Sequence, residues 1–231
     1  MDRAASRHRR EERWRGRAER ARDAFGLVLV LVLVTYVATS LLDDRGWPAV
    51  LISLSASATS IVALVSSHSQ RQTVRLAIWV SALTTLFVVI AAITATHLWL
   101  NLASAIQILL LATAMGAVLR RVVTTAEVGS RTILGALSVY TVLGLLFTYL
   151  YGLIDRLQST PFFEGHPDPG GSDLIFFSYT TLTTTGYGNL VPDGQPGEMV
   201  AGLVSLWRPG EGLKKRLARR GGEPPAPESA P

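Results

Sequence analysis

The chain contains no cysteine. Disulfides, thiolate nucleophiles and cysteine-based metal sites are thereby excluded, while the redox compartment stays open. Charge is scarce as well: 17% of residues are Asp, Glu, Lys or Arg, against about 25% in soluble domains. The charges that exist crowd residues 1–23, the last 24 residues and a few short loops. From Leu76 to Leu119 the only titratable side chain is His97. No G-x-x-x-x-G-K-[ST] segment is present to cradle a nucleotide phosphate. Asp155, Glu164, Asp168 and Asp173 stand in no constellation with a nucleophile, a base or metal-ligand spacing. They read as surface loop charges, with His166 exposed among them, and neither enzymatic activity nor a cofactor is expected. The net charge of +5 fits basic anchors beside a membrane better than a nucleic-acid surface.

What the chain has in abundance is uncharged sequence of helical length. About 20 apolar residues cross the hydrocarbon of a bilayer. Ala24–Leu42 meets this and is broken by Asp43, Asp44, Arg45 and Gly46. Nine arginines precede it, as in a signal peptide. No A-x-A-like cleavage site closes the run, so it is taken as a retained first span. A second run extends from Trp47 to Ser67, with Pro48 near the helix start, where proline is tolerated. Its serines and alanines suit helix–helix contact. His68 to Arg75 is a polar loop. Leu76–Leu119 as one helix would be roughly 66 Å long, about twice the bilayer. It must be two spans, with a turn near Thr96–Asn101. Arg120 and Arg121 close the fourth span, and a fifth runs from Thr132 to Ile154. Trp47 and Trp99 suit the interfacial aromatic belt, beside which His97 is an interfacial residue.

Arginine counts in the connecting segments set an orientation. Segments 1–23, 68–75 and 120–131 carry nine, two and three arginines, whereas 43–47, 96–101 and 155–173 carry one, none and one. The positive-inside bias places the N-terminus in the cytoplasm, in a multi-pass protein of the cell membrane, and the segment after the fifth span outside. Residues 3–22, in which Glu11, Glu12 and Glu19 alternate with arginines, form a solvated or lipid-facing cytoplasmic segment.

After Ile154, a loop rich in proline and glycine (Pro161, Pro167, Pro169, Gly170, Gly171) leads into a short apolar stretch, Leu174–Thr183. Ser172 or Asp173 is expected to cap it as a helix. It is too short to cross a bilayer and fits a re-entrant helix covered by protein, its C-terminal end partially negative. Thr183-Thr184-Thr185-Gly186-Tyr187-Gly188-Asn189 follows. Gly186 and Gly188 permit backbone angles that a Cβ resists, and Pro192 is expected to end the extended piece.

This stretch resembles the Thr-Val-Gly-Tyr-Gly selectivity filter of potassium channels, matching four of five positions, with Thr185 where valine stands. Ser178–Pro192, with the preceding span and loop, resembles the pore domain of the potassium-channel superfamily, particularly bacterial ion-channel proteins with six spans. The specific likeness covers about residues 133–200. It implies that K+, the only metal expected, is held by backbone carbonyls at Thr184, Thr185, Gly186, Tyr187 and Gly188, with the Thr184 hydroxyl at the inner mouth. It also implies a tetramer, one filter segment per subunit, and passive K+ transport. Asn189 stands where the family usually has aspartate, and Phe176 and Phe177 stand where some members have tryptophan. Leu98–Leu119 contains no arginine, which speaks against a voltage sensor built on moving arginines.

One departure is larger. The family places a full-length inner helix after the filter. Here Met199–Trp207 gives nine uncharged residues, roughly 14 Å of helix. Pro209 and Gly210 stop helix propagation, and Lys214, Lys215, Arg216, Arg219 and Arg220 are costly in hydrocarbon. The sequence thus predicts an all-α membrane protein with five full transmembrane helices, a re-entrant pore helix with its filter, and an incomplete sixth helix. Its parts are a basic segment 1–23, a four-helix membrane region 24–121, a pore domain 132–207 and a disordered tail 208–231. A frameshift near residue 203 would explain the change of character, and the other reading frames of the gene from residue 195 onward test it. The expected function is a potassium-selective channel subunit in a lipid bilayer, a homotetramer that conducts poorly or not at all by itself. The alternative is a non-conducting membrane protein that assembles with, or modulates, related full-length channel subunits. A secondary transporter fits less well, because no internal repeat with paired broken helices is present.

Overall fold

The computed structural model describes residues 26–42, 46–67, 69–94, 96–124 and 130–206. Among them are seven helices and no strand: α1 (Gly26–Leu41), α2 (Trp47–Ser66), α3 (Arg71–Thr94), α4 (His97–Thr124), α5 (Ser130–Leu157), α6 (Gly171–Leu182) and α7 (Gln195–Leu206). Helices α2 to α5 are long and apolar enough to cross a membrane. The chain is therefore an all-α, multi-pass membrane protein. Of the expected first span Ala24–Leu42, α1 is the described helical part; residues 1–25, 43–45 and 207–231 lie outside the described residues, as do the expected basic segment and the tail.

The boundaries moved where a tertiary contact or the helix dipole outweighed local polarity. The turn expected near Thr96–Asn101 falls before His97 instead, so Asn101 sits within the second turn of α4. Its side chain is not wasted there: Arg156 Nε donates to Asn101 Oδ1 at 3.0 Å and Arg156 Nη2 donates to Ser104 Oγ at 2.6 Å. Arg120 and Arg121 end the apolar run but not the helix, which continues to Thr124. Cations are favoured at that end by the macrodipole. Helix α5 likewise outruns its expected end at Ile154 and carries Asp155 and Arg156 in its last turn. Asp155 Oδ1 accepts the Phe162 amide at 3.3 Å.

Small residues bring the helices together. Half of the most apolar stretch of α2 is buried, against 28% of that of α3, so α2 is the inner member of the pair and α3 the more exposed one. Three of the α2 hydroxyls cost little in this setting. Thr59, Ser60 and Ser66 donate back to the carbonyls of Ser55, Ala56 and Val62 at 2.6–3.0 Å, which leaves these three side chains small and self-satisfied at the helix contact. Val28 and Val32 of α1, Ala63 and Leu64 of α2, Leu111 and Val118 of α4, and Val142 and Leu145 of α5 share one core. Helix α5 packs on α4 with one face and carries α6 on another, and α7 touches both α5 and α6.

Candidate functional site: the short helix and the glycine-tyrosine-glycine turn

Helix α6 starts three residues earlier than its apolar stretch suggests. Gly170, extended at φ −80° and ψ 169°, is its N-cap, rather than Ser172 or Asp173. Asp173 works from the third helical position, where its Oδ2 accepts the Gly170 amide at 3.1 Å. A carboxylate one turn in can reach back to the cap amide while complementing the positive helix end, which a hydroxyl at the cap cannot do alone. Asp173→Ala is expected to cost about 1 kcal/mol, measured by denaturant unfolding in micelles; Asp173→Asn should recover part of that.

The helix lies against α5 at close range. Ser178 Oγ donates to the Gly144 carbonyl at 2.7 Å, and Tyr179 OH donates to the Thr141 carbonyl at 2.7 Å. Tyr179 also meets Tyr36 of α1 edge-to-face, with centroids 5.6 Å apart. None of these residues was singled out by the sequence. Gly144 was the available signal, since an isolated glycine inside a helical run often marks a close approach.

The end of α6 and the start of the following turn are one motif. With Thr183 as C-cap, the Thr185 amide donates to Thr180 O at 2.9 Å and the Thr184 amide to Thr181 O at 3.0 Å. This is the Schellman pattern, which places the next residue, Thr184, in the left-handed region. Glycine usually stands there; threonine at φ 59° costs roughly 1–2 kcal/mol. The Gly186 amide joins the same Thr180 carbonyl at 3.2 Å. The Thr183 hydroxyl donates to Tyr179 O at 2.8 Å and lies 2.9 Å from that of Thr185.

Positive φ then recurs at every second residue: Thr184 at 59°, Gly186 at 49° and Gly188 at 77°. In an ordinary extended chain φ is negative throughout and successive peptides face opposite ways. Alternation of left- and right-handed residues is the backbone pattern in which successive carbonyls can share one side. A row of carbonyls on one side is a ligand set for a dehydrated cation. The two glycines take these angles freely. Residues 183–189 are all exposed in the single chain, and a Cβ at Gly186 or Gly188 would meet nothing within 4 Å. Tyr187 is 71% exposed, and among the described residues the ring of Phe176 stacks on one face of it at 5.8 Å and 19°.

Phe177, one residue on, points elsewhere. It belongs to a buried aromatic cluster with Tyr151, Phe162 and Phe163. That cluster fastens the loop before α6 to the chain after the turn. Phe162 and Phe163 carry backbone bonds with them: the Glu164 amide donates to Val191 O at 3.0 Å and the Asp193 amide to Phe162 O at 2.7 Å. Phe163 also bridges to Pro192. Pro192 thus closes the extended piece by joining the loop rather than by merely interrupting pairing. Gly197 of α7 lets the chain in: a Cβ there would sit 2.9 Å from Pro192 Cβ and 3.0 Å from the Phe162 ring.

The geometry brings Thr184, Thr185, Gly186, Tyr187 and Gly188 into one exposed strip between two fixed ends. Helix α7 begins at Gln195 and is described to Leu206. Its continuation, on which the expectation of an incomplete inner helix rests, lies outside the described residues. Comparison with the curated proteins and with the solved structures gives no match. A family model described as an ion channel matches residues 136–208. With α5 from Ala136 onward, α6, the glycine-tyrosine-glycine turn and α7 in that order within them, residues 136–208 are an ion-channel pore domain of the potassium-channel type.

Proposed function

We propose that four copies of Thr184–Gly188 form a potassium-selective filter through which K+ crosses the cell membrane passively. The alternation of positive φ at 184, 186 and 188 is the observation that carries this reading. Carbonyls gathered on one side replace the hydration shell of K+, and neighbouring ions repel one another onward. The Thr184 hydroxyl extends the set at the α6 end. The exposure of residues 183–189 in the single chain favours an assembly in which other copies cover them. Helix α6 ends beside the strip, where its dipole contributes about half a negative charge and favours a cation. Arginine counts favour a cytoplasmic N-terminus.

The test uses the purified full chain in lipid nanodiscs. A cation that binds only the folded assembly stabilises it by about 2.7 kcal/mol at 100 times its dissociation constant. The thermal midpoint is therefore expected to be higher in K+ than in Na+, with the difference abolished in Gly186→Ala. Equal midpoints in the two salts would sink the proposal.

A second reading is that the chain assembles with related channel subunits without conducting. Pro209, Gly210 and the five cations from Lys214 to Arg220 favour it, since neither continues an apolar helix. K+ flux from liposomes holding this chain alone rules it out. Co-purification with an intact channel, with altered current, supports it.

A further inference from the structure

Away from the pore, three buried polar atoms without a partner among the described residues face one cavity. They are Ser53 Oγ, Gln107 Nε2 and Tyr149 OH. The cavity, about 90 Å³, lies between α2, α3, α4 and α5. Gln107 is 1% exposed and Ser53 5%, so bulk water does not serve them. The amide orientation of Gln107 is set from behind: Ser57 Oγ donates to its Oε1 at 3.4 Å. That leaves both Nε2 hydrogens for the cavity. Thr84 Oγ1 spends its proton on Val80 O at 2.9 Å and keeps its lone pairs. Ser104 Oγ accepts from Arg156 at 2.6 Å and keeps its proton.

Orphaned donors and acceptors at this depth are costly and imply an occupant. The space exceeds the roughly 10–15 Å³ that one water needs. Its lining is also two-sided. The polar groups gather around Gln107, while Ile52 and Val88 give an aliphatic wall. No carboxylate or cationic side chain lines it, so an ion there would be desolvated without compensation. We propose that this cavity is a binding site for a small neutral alcohol. Its hydroxyl accepts from Gln107 Nε2 and exchanges hydrogen bonds with Ser53 and Tyr149, and its alkyl end lies against Ile52 and Val88. The guest would touch α5 at Tyr149, on the same helix whose Thr141 and Gly144 carbonyls seat α6.

The experiment follows the 19F NMR signal of 2,2,2-trifluoroethanol with the purified full chain in detergent micelles, empty micelles serving as the partition control. A saturable perturbation is expected above the control. Ser53→Ala, which removes one oxygen and leaves the volume nearly unchanged, should weaken it several-fold. Gln107→Leu should weaken it about tenfold, the equivalent of one lost hydrogen bond. Helix content by circular dichroism confirms that each variant is folded, and Ser53→Ala decides if Gln107→Leu is not. Only linear partitioning, or saturation unchanged in folded Ser53→Ala and Gln107→Leu, overturns the proposal and leaves water alone as the occupant.

Discussion

Truncating Phe163 to alanine is expected to cost about 3–5 kcal/mol of stability, in the range for buried phenylalanines, and to free the outer end of the glycine-tyrosine-glycine strip. The side chain is 0% exposed. Its ring meets Phe162 edge-to-face at 4.8 Å and Phe177 at 5.1 Å, and such pairs add about 0.5–1.5 kcal/mol each beyond area burial. The residue is also a backbone joint, bridged to both His166 and Pro192. A cavity at this point therefore loosens three things at once: the loop 158–170, the middle of α6 through Phe177, and the exit of the strip at Val191–Asp193. Denaturant unfolding in micelles gives the stability change. Limited proteolysis gives its location, with new cleavage expected between Glu164 and Pro169. A cost under about 1 kcal/mol would mean that the site relaxes freely and that the cluster does not hold the loop.

Gly144→Ala should be destabilising by about 1–3 kcal/mol, although local propensity argues the other way. Alanine is favoured over glycine inside a helix by about 0.8–1 kcal/mol. Against this, a Cβ at residue 144 would lie 2.5 Å from two atoms of the Tyr179 ring. The ring has little room to yield, because its hydroxyl is tied to Thr141 O and it is met by the Tyr36 ring. Helix α6 has to shift, which stretches the Ser178 bond to the Gly144 carbonyl as well. Overpacking of about 1–3 kcal/mol and about 1 kcal/mol for each strained hydrogen bond outweigh the propensity gain. The check is a double-mutant cycle with Tyr179→Ala. If the clash is the cause, the two changes couple by roughly 0.5–3 kcal/mol and alanine at 144 becomes harmless once the ring is gone. Additive losses would place the cost elsewhere.

These two sites also mark where the sequence stops being informative. The strip at 184–188 was legible because its requirement is local. Backbone reversal at alternate residues needs glycines two apart, and Gly186 and Gly188 show it directly. The long helices were legible from uncharged length alone. Gly144 and Tyr179, 35 positions apart in sequence, were not, since each is unremarkable until α5 and α6 are placed side by side. Phe176 and Phe177 are neighbours of identical type, yet one stacks on Tyr187 and the other is buried with Phe163. The 100° step between consecutive helical residues separates their roles, and only the position of the loop decides which is which. The N-cap of α6 failed for a different reason. Four polar or small residues compete within Gly170–Asp173, and the carboxylate acts at a distance of one turn.

The two ends of the strip carry a constraint on length. On one side Thr180 O receives the amides of both Thr185 and Gly186; on the other the Asp193 amide is bonded to Phe162 O. Between these fixed points each residue has one assigned place. An insertion or deletion of a single residue from Thr185 to Val191 would invert the order of left-handed positions or break one of the two fastenings. The loop around Gly165–Asp168 is exposed throughout, and its bridge from His166 to Phe163 closes within three residues, so it does not set the length of the strip. Length variation among natural relatives should therefore fall in that loop, and the thirteen-step path from Thr180 to Asp193 should be passed on without gain or loss.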